Sequence, residues 1–138
     1  MPYIHVPEGF HVSVYAGPIE DARSMALGED GTLYIGSRDA GNVYAIQDRN
    51  SDGIADETRV LVQGLVLPNG LALLNGDLYI ADMTGIRRIP AEKLHSKLPV
   101  VPLTLFEGFP AKKHHGWKYL KAGPDGKLYL AVGVPCNI

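Results

Sequence analysis

Short apolar segments alternate with polar turns along the whole chain, and one hydrophobic pattern occurs three times. In each copy an Asp-Gly or Asn-Gly turn leads into aliphatic residues and a tyrosine, and another apolar segment precedes the turn. The copies are Asp30–Ile35, Asn75–Ile80 and Asp125–Leu130. Because such a turn between two apolar segments is the strongest short-range hairpin signal, each copy is predicted to form the second strand of a β-hairpin.

The spacing of the three copies indicates the type of repeat. Their tyrosines lie at positions 34, 79 and 129, so the repeat is 45 to 50 residues long (79 − 34 and 129 − 79). This length suits a four-stranded β-propeller blade. Helical repeats of similar length are excluded because Gly, Pro, Asn or Asp interrupts every apolar run. The predicted fold class is all-β, a β-propeller fragment of about three four-stranded blades.

The strand pattern divides the chain into parts of one partial propeller, residues 1–138. We predict an outer strand at 10–16, blades at 23–62 and 69–106, and an incomplete blade at 115–134. A propeller usually closes with four to eight blades, so three blades leave a sheet face and an edge open. Two hypotheses follow: the sequence is a fragment of a longer protein, or it forms a homodimer that closes to six blades. In the dimer, the outer strand of each chain would complete the third blade of the other.

Composition and charge restrict the class of partner. The 138 residues are 46% hydrophobic, which suffices for one globular domain with a core. Thirteen Lys and Arg residues against fifteen Asp and Glu residues give a net charge of −2, so neither nucleic acid nor a membrane is an expected partner. The apolar runs have the length of strands, and no signal peptide pattern is present. The single cysteine, Cys136, leaves the redox compartment undetermined. A small molecule or another protein is expected instead.

Polar residues precede the inner strands of all three predicted blades. Counted back from the repeated tyrosines, Arg23, Asn69 and His115–Lys118 occupy roughly equivalent positions. In a propeller these segments line one end of the central channel, so we expect them to converge. The imidazoles beside Trp117 titrate near neutral pH and could accept a proton from an alcohol. Two adjacent histidines also fit an ordinary surface loop, because they show neither metal-ligand spacing nor a base–nucleophile pair.

A second polar cluster lies between the third and fourth strands of the first blade. Asp48, Asn50 and Asp52 alternate with other residues before a glycine, as in the first half of a calcium loop. The second half differs, because Arg59 stands where an EF-hand has its bidentate Glu, although Asp56 could supply a carboxylate instead. A polar hairpin turn needs the same residue types for backbone reasons, so both interpretations stay open.

Several short motifs, taken in order, resemble one known family. They are Pro7–Phe10, Ala22–Met25, Gly36–Arg38, Asn42–Ala45, Leu67–Leu71, His115–Lys118, Gly123–Tyr129 and Gly133–Asn137. With them the chain resembles the N-terminal part of the sorbosone dehydrogenase group of sugar dehydrogenases. These enzymes are six-bladed propellers that depend on pyrroloquinoline quinone (PQQ). The resemblance implies oxidation of an aldose or related sugar, PQQ at the channel mouth, calcium bridging the quinone to the protein, and a periplasmic or secreted location.

The resemblance also implies roles for individual residues. The catalytic base of the family is a histidine eight residues before the Gly of a Gly-Pro-Asp turn, a position held here by His115. It would take the hydroxyl proton at C1 while hydride passes to the quinone. The residues expected to bind the cofactor follow from the equivalent positions in the three blades rather than from the family, and they are Arg23, Asn69, Trp117 and Lys118. In that family most quinone-clamping residues and the cofactor's calcium ligands lie beyond the position of Ile138, so only half of the active site is expected here and the chain alone could be inactive.

Two other functions stay open on the sequence. A non-catalytic six-bladed assembly could bind a ligand or a protein at the channel mouth. A metal-dependent lactonase-like propeller would need carboxylate and amide ligands at the channel, for which Asn69 is the only good candidate. Calcium at Asp48–Asp56 would be structural rather than the cofactor's metal, because this loop lies at an outer hairpin.

Overall fold

The structure, a computed structural model, describes residues 4–133 and consists almost entirely of antiparallel β-sheet. Three sheets follow one another along the chain. The first contains β1 (Ala22–Leu27), β2 (Leu33–Ser37), β3 (Val43–Gln47) and β4 (Glu57–Val62). The second contains β5 (Gly70–Leu74), β6 (Asp77–Ala81), β7 (Gly85–Ile89) and β8 (Leu103–Glu107), and the third pairs β9 (Lys118–Ala122) with β10 (Leu128–Val132). Consecutive sheets with their strands in chain order are the arrangement of propeller blades.

Helical structure is minimal in the part of the chain that the structure describes. It consists of one 3₁₀ turn, Ala91–Lys93, which follows Pro90. Among residues 4–133 there is no helix with the length and apolar character that crossing a membrane requires.

The hairpin between β5 and β6 illustrates how local sequence determines the sheets. Its two turn residues, Asn75 and Gly76, both have positive φ, 52° and 82°. A two-residue turn of this kind matches the right-handed twist of the flanking strands. It pairs Leu74 with Asp77 and sets the register of the whole hairpin.

The core lies between the sheets. Tyr34 and Leu61 of the first sheet pack against Leu78 and Ile80 of the second, and all four are fully buried. Between the second and third sheets, smaller residues line the contact, with Ala72 and Ala81 against Leu120. Side chains alternate between the two faces of each strand, so every sheet that lies between two neighbours contributes to two contacts.

The predicted outer strand at residues 10–16 is not a strand in the structure. Phe10 is 70% exposed, whereas Tyr15 and Ala16 pack on the outer face of the first sheet, where the Ala55 N–H donates to the Tyr15 carbonyl at 2.8 Å. A strand requires a hydrogen-bonded partner. The partner predicted for this segment belongs to a second copy of the chain, so that pairing stays a prediction.

Three parts of the sequence interpretation lie outside the described residues. They are the end of the predicted third blade at residue 134, the single Cys136, and all but the first residue of the Gly133–Asn137 motif.

Candidate functional site

A pocket of about 640 Å³ opens where the beginning of β1 meets the third sheet. It combines basic and imidazole side chains with two aromatic rings, and its apolar wall comes from the end of β10. The lining residues are Arg23, Lys113, His114, His115, Trp117, Tyr119, Ala131, Val132 and Gly133. Residues from two sheets that are not neighbours in the chain therefore form one pocket.

Two guanidinium groups lie over the indole ring of Trp117. The Cζ atoms of Arg23 and Arg38 are 4.3 Å and 4.6 Å from the ring centroid, and Arg23 also donates to the Tyr119 hydroxyl at 3.3 Å. Within residues 4–133, neither arginine forms an ion pair with a carboxylate. Two cations beside one aromatic ring, with no carboxylate paired to either of them among the described residues, favour an anionic ligand that is at least partly planar.

His115 lies in the turn that leads into β9. Its ring centroid is 4.0 Å from that of His114, and its backbone has a φ of +54°, in the left-handed region that side chains disfavour. The next residue closes the turn, because the Gly116 N–H donates to the Lys113 carbonyl at 3.1 Å. A side chain at Gly116 would overlap the Lys112 carbonyl oxygen, so glycine is required there. The turn places the His115 imidazole at the pocket wall.

Lys118 and Asn69 lie beneath the pocket rather than in its wall. Both are 1% exposed, and neither is among the lining residues. The Lys118 ammonium donates to the Gly116 carbonyl at 2.8 Å, and the Asn69 amide donates to the Lys118 carbonyl at 2.9 Å. Burial lowers the pKa of Lys118, and the charge of Asp82 opposes that shift. The structure thus brings Arg23, His115 and Trp117 together and places the other two predicted cofactor residues behind them.

The lactonase alternative stays a hypothesis, and Asn69, its only good candidate ligand, is buried. Its Nδ2 is engaged with the Lys118 carbonyl, and its Oδ1 is buried without a hydrogen-bond donor among the described residues. A catalytic metal would need access to that oxygen and further ligands around it.

Sequence reasoning did not identify Arg38 and Tyr119 as site residues. Arg38 follows β2, where its N–H donates to the Asp21 carbonyl at 3.2 Å. Its approach to Trp117 depends on how the first sheet packs relative to the third, which no local pattern reveals. For Tyr119 a signal exists, because alternation along β9 puts it on the opposite face from Lys118 and Leu120, and the burial pattern has this period.

The Asp48–Asp56 loop is closed by hydrogen bonds from its own backbone. Each of the four predicted calcium ligands accepts at least one N–H. Asp48 accepts from Ser51 at 2.7 Å and Gly53 at 2.9 Å, Asn50 from Asp52 at 2.9 Å, Asp52 from Ile54 at 2.8 Å, and Asp56 from Arg49 at 2.7 Å. In the described part of the chain, no three His, Cys, Asp or Glu side chains are grouped so as to hold a metal ion. The geometry fits the polar-turn interpretation, and calcium at this loop stays a prediction.

Comparison with known proteins identifies one family and one type of fold. A protein-family model described as "Domain of unknown function (DUF7133)" matches residues 1–136. No curated protein matches the chain. Among solved structures, the chain is similar to the holo form of the PQQ domain of pyranose dehydrogenase from Coprinopsis cinerea, with a TM-score of 0.69 and 16% identity.

The structural match covers 88% of this chain and 29% of the pyranose dehydrogenase chain, so this chain spans less than a third of the length of that protein. At this identity the likeness establishes the fold alone. The predicted fold class is confirmed: three antiparallel sheets form part of a β-propeller of the type found in that PQQ domain. Assignment to the sorbosone dehydrogenase group stays a prediction.

Proposed function

The chain belongs to the DUF7133 family, a domain family of unknown function, and we propose that it carries part of the active site of a PQQ-dependent sugar dehydrogenase. The observation that carries this proposal is the convergence of Arg23, His115 and Trp117 in one pocket, although Arg23 belongs to the first sheet and the other two precede the third. A structural neighbour that is itself a PQQ domain of a pyranose dehydrogenase supports it.

The residues of the pocket fit the proposed cofactor. PQQ is a planar quinone that carries carboxylates. The guanidinium groups of Arg23 and Arg38 lie over the Trp117 ring and offer charge-assisted hydrogen bonds to carboxylates, and their own planar faces can stack on a planar ring. When bound, the quinone supplies the acceptor for hydride from the sugar. The chain's own contribution is to bind this planar anion and to orient it beside the imidazole.

In this proposal His115 is the general base. An imidazole nitrogen accepts the proton of the sugar C1 hydroxyl, which makes that carbon a better hydride donor. The histidine is suited to this step because an imidazole nitrogen can accept a proton and the side chain lies at the pocket wall. General-base catalysis by a positioned side chain typically contributes about 100- to 10,000-fold to the rate.

Trp117 allows the binding step to be tested directly, because it is the only tryptophan in the chain. Adding PQQ to the full chain is expected to quench its emission to saturation. Replacing both Arg23 and Arg38 by Ala is expected to weaken that binding by at least about tenfold, equivalent to roughly 1.4 kcal/mol. A chain whose Trp117 emission does not respond to PQQ contradicts the proposed cofactor.

The catalytic step is tested by sugar-dependent reduction of a dye in the presence of PQQ and calcium. We expect His115→Ala to lower turnover at least about 100-fold without changing the quenching by PQQ. His11→Ala is the matched control, because His11 is exposed and does not line the pocket. Full activity in His115→Ala overturns the assignment of the base. Saturable quenching without any turnover by the unmodified chain supports the alternative, a ligand-binding module.

A further inference from the structure

Lys118 is a buried lysine whose ammonium group interacts electrostatically with Asp82. Its Nζ donates to the Gly116 carbonyl at 2.8 Å and lies 5.8 Å from the centroid of the Phe109 ring. Among the ion pairs that residues 4–133 form, none includes Lys118. Removing an ammonium group from water without a carboxylate at ion-pair distance is costly, so the hydrogen bond that the group does form needs a specific explanation.

That bond reaches back to the segment that carries the candidate base. His115 has a left-handed backbone, which is unfavourable for a residue with a side chain and needs neighbouring contacts to hold it. Gly116 closes the turn on one side through its N–H bond to Lys113. The Lys118 ammonium donates to the Gly116 carbonyl. Gly116, which lies between His115 and Trp117, is therefore held through both its N–H and its carbonyl.

The backbone of Lys118 is in turn attached to the rest of the fold. Its carbonyl accepts a hydrogen bond from Asn69, and the Asn69 carbonyl accepts one from the Ser24 hydroxyl. These bonds connect the start of β9 with the segment before β5 and with β1. A continuous series of hydrogen bonds therefore connects β1 and the segment before β5 with the turn on which His115 and Trp117 lie.

We propose that Lys118 is a positioning residue, whose ammonium group holds the His115–Trp117 segment in place at the pocket through the Gly116 carbonyl. This role differs from the cofactor-binding role predicted from the sequence, because the side chain is buried and is not among the residues that line the pocket. The expected effect of Lys118 on catalysis rests on the proposed function. The claim that Lys118 keeps the His115–Trp117 segment in place does not depend on the proposed function.

The test is Lys118→Met, which retains a long unbranched side chain in the buried position and removes the ammonium group. The neighbouring Trp117 reports the order of the segment through quenching by acrylamide. We expect the quenching constant to rise about twofold or more, and kcat for sugar-dependent dye reduction to fall at least tenfold with less change in KM. Lys118→Arg, which retains N–H donors, is expected to restore part of both. Lys121→Met is the matched control, because Lys121 lies exposed on the same strand, and it is expected to change neither.

Unchanged Trp117 quenching in a folded Lys118→Met chain overturns the proposal. If that variant does not fold, the unmodified chain decides: a buried, hydrogen-bonded ammonium is expected to give a slowly exchanging ¹H–¹⁵N signal for Lys118 Nζ, and a rapidly exchanging one overturns the proposal. Failure of the proposed function looks different. If His115→Ala keeps full turnover while Lys118→Met still loosens Trp117, His115 is not the base and the positioning role stands.

Discussion

Replacement of Gly70 by alanine tests how closely the second and third sheets approach each other. An added Cβ would lie 2.8 Å from the Lys118 carbonyl oxygen, 2.9 Å from the Leu120 nitrogen and 3.0 Å from the Ala81 Cβ. The first two atoms belong to the backbone of β9 and cannot rotate away. The φ of Gly70 lies outside the left-handed region, so the substitution acts through this contact and not through backbone strain. We expect β9 to be displaced and the chain to be destabilised.

The magnitude follows from two opposing effects. Overpacking of a well-packed contact typically costs about 1–3 kcal/mol. Alanine also restricts the unfolded chain more than glycine does, which offsets roughly 0.4–1 kcal/mol. Subtracting the second range from the first gives a fall in the free energy of unfolding of roughly 0 to 2.6 kcal/mol, and the midpoints of the two ranges give about 1.3 kcal/mol. For a chain of this length, that corresponds to a decrease in Tm of roughly 3–10 °C.

Urea denaturation of Gly70→Ala and the unmodified chain provides the measurement, followed by far-UV circular dichroism and by Trp117 fluorescence. Coincident transitions would justify a two-state analysis. Ala81→Gly, alone and combined with Gly70→Ala, completes a double-mutant cycle. We expect a coupling energy below about 0.5 kcal/mol, because the backbone contacts to β9 persist when Ala81 is truncated. An unfolding free energy equal to that of the unmodified chain would refute the close approach, and full rescue by Ala81→Gly would assign the clash to Ala81.

Two further predictions concern pH and assembly. Burial raises the pKa of Asp30, but hydrogen bonds from Thr32 and the charge of His95 outweigh it and lower the pKa below its ordinary value. The stability that Asp30 contributes is therefore present at neutral pH and lost in acid. The difference in unfolding free energy between the unmodified chain and Asp30→Asn should shrink as the pH falls from about 5 to about 2. A difference that is independent of pH contradicts this prediction. The homodimer predicts twice the mass of one chain by light scattering, with residues 10–16 beside β10 of the partner, and a monomer at all concentrations excludes it.

The fold could be predicted because its determinants are local. The Asn75–Gly76 turn fixes a two-residue hairpin, and the repeated tyrosine pattern fixes the number of residues in each sheet. The segment at 10–16 shows where this reasoning ends. Its composition suits a strand, but strand formation also needs a partner with free backbone groups, and composition carries no information about that partner.

The sequence could predict only those site residues that occupy equivalent positions in the repeats. Equivalent positions in successive sheets led to Arg23 and Trp117, which do meet at one pocket. The same register led to Lys118, which faces the other side of β9, because successive side chains of a strand alternate between its faces. Applying that alternation would have added Tyr119, and cofactor binding by Lys118 stays a prediction. Arg38 could not be found in this way, because its contact with Trp117 depends on the angle between sheets.

The second sheet supports the pocket without contributing to its lining. Arg23 stands on the first sheet and Trp117 precedes the third, so the distance between them depends on what separates those sheets. Asn69 bonds to both sides, accepting from Ser24 and donating to the Lys118 backbone, and Gly70 sets the spacing to β9. Substitutions in this buried pair should therefore alter ligand binding although neither residue lines the pocket. An effect of Gly70→Ala on quenching by PQQ, measured where the variant is fully folded, would separate this geometric role from stability alone.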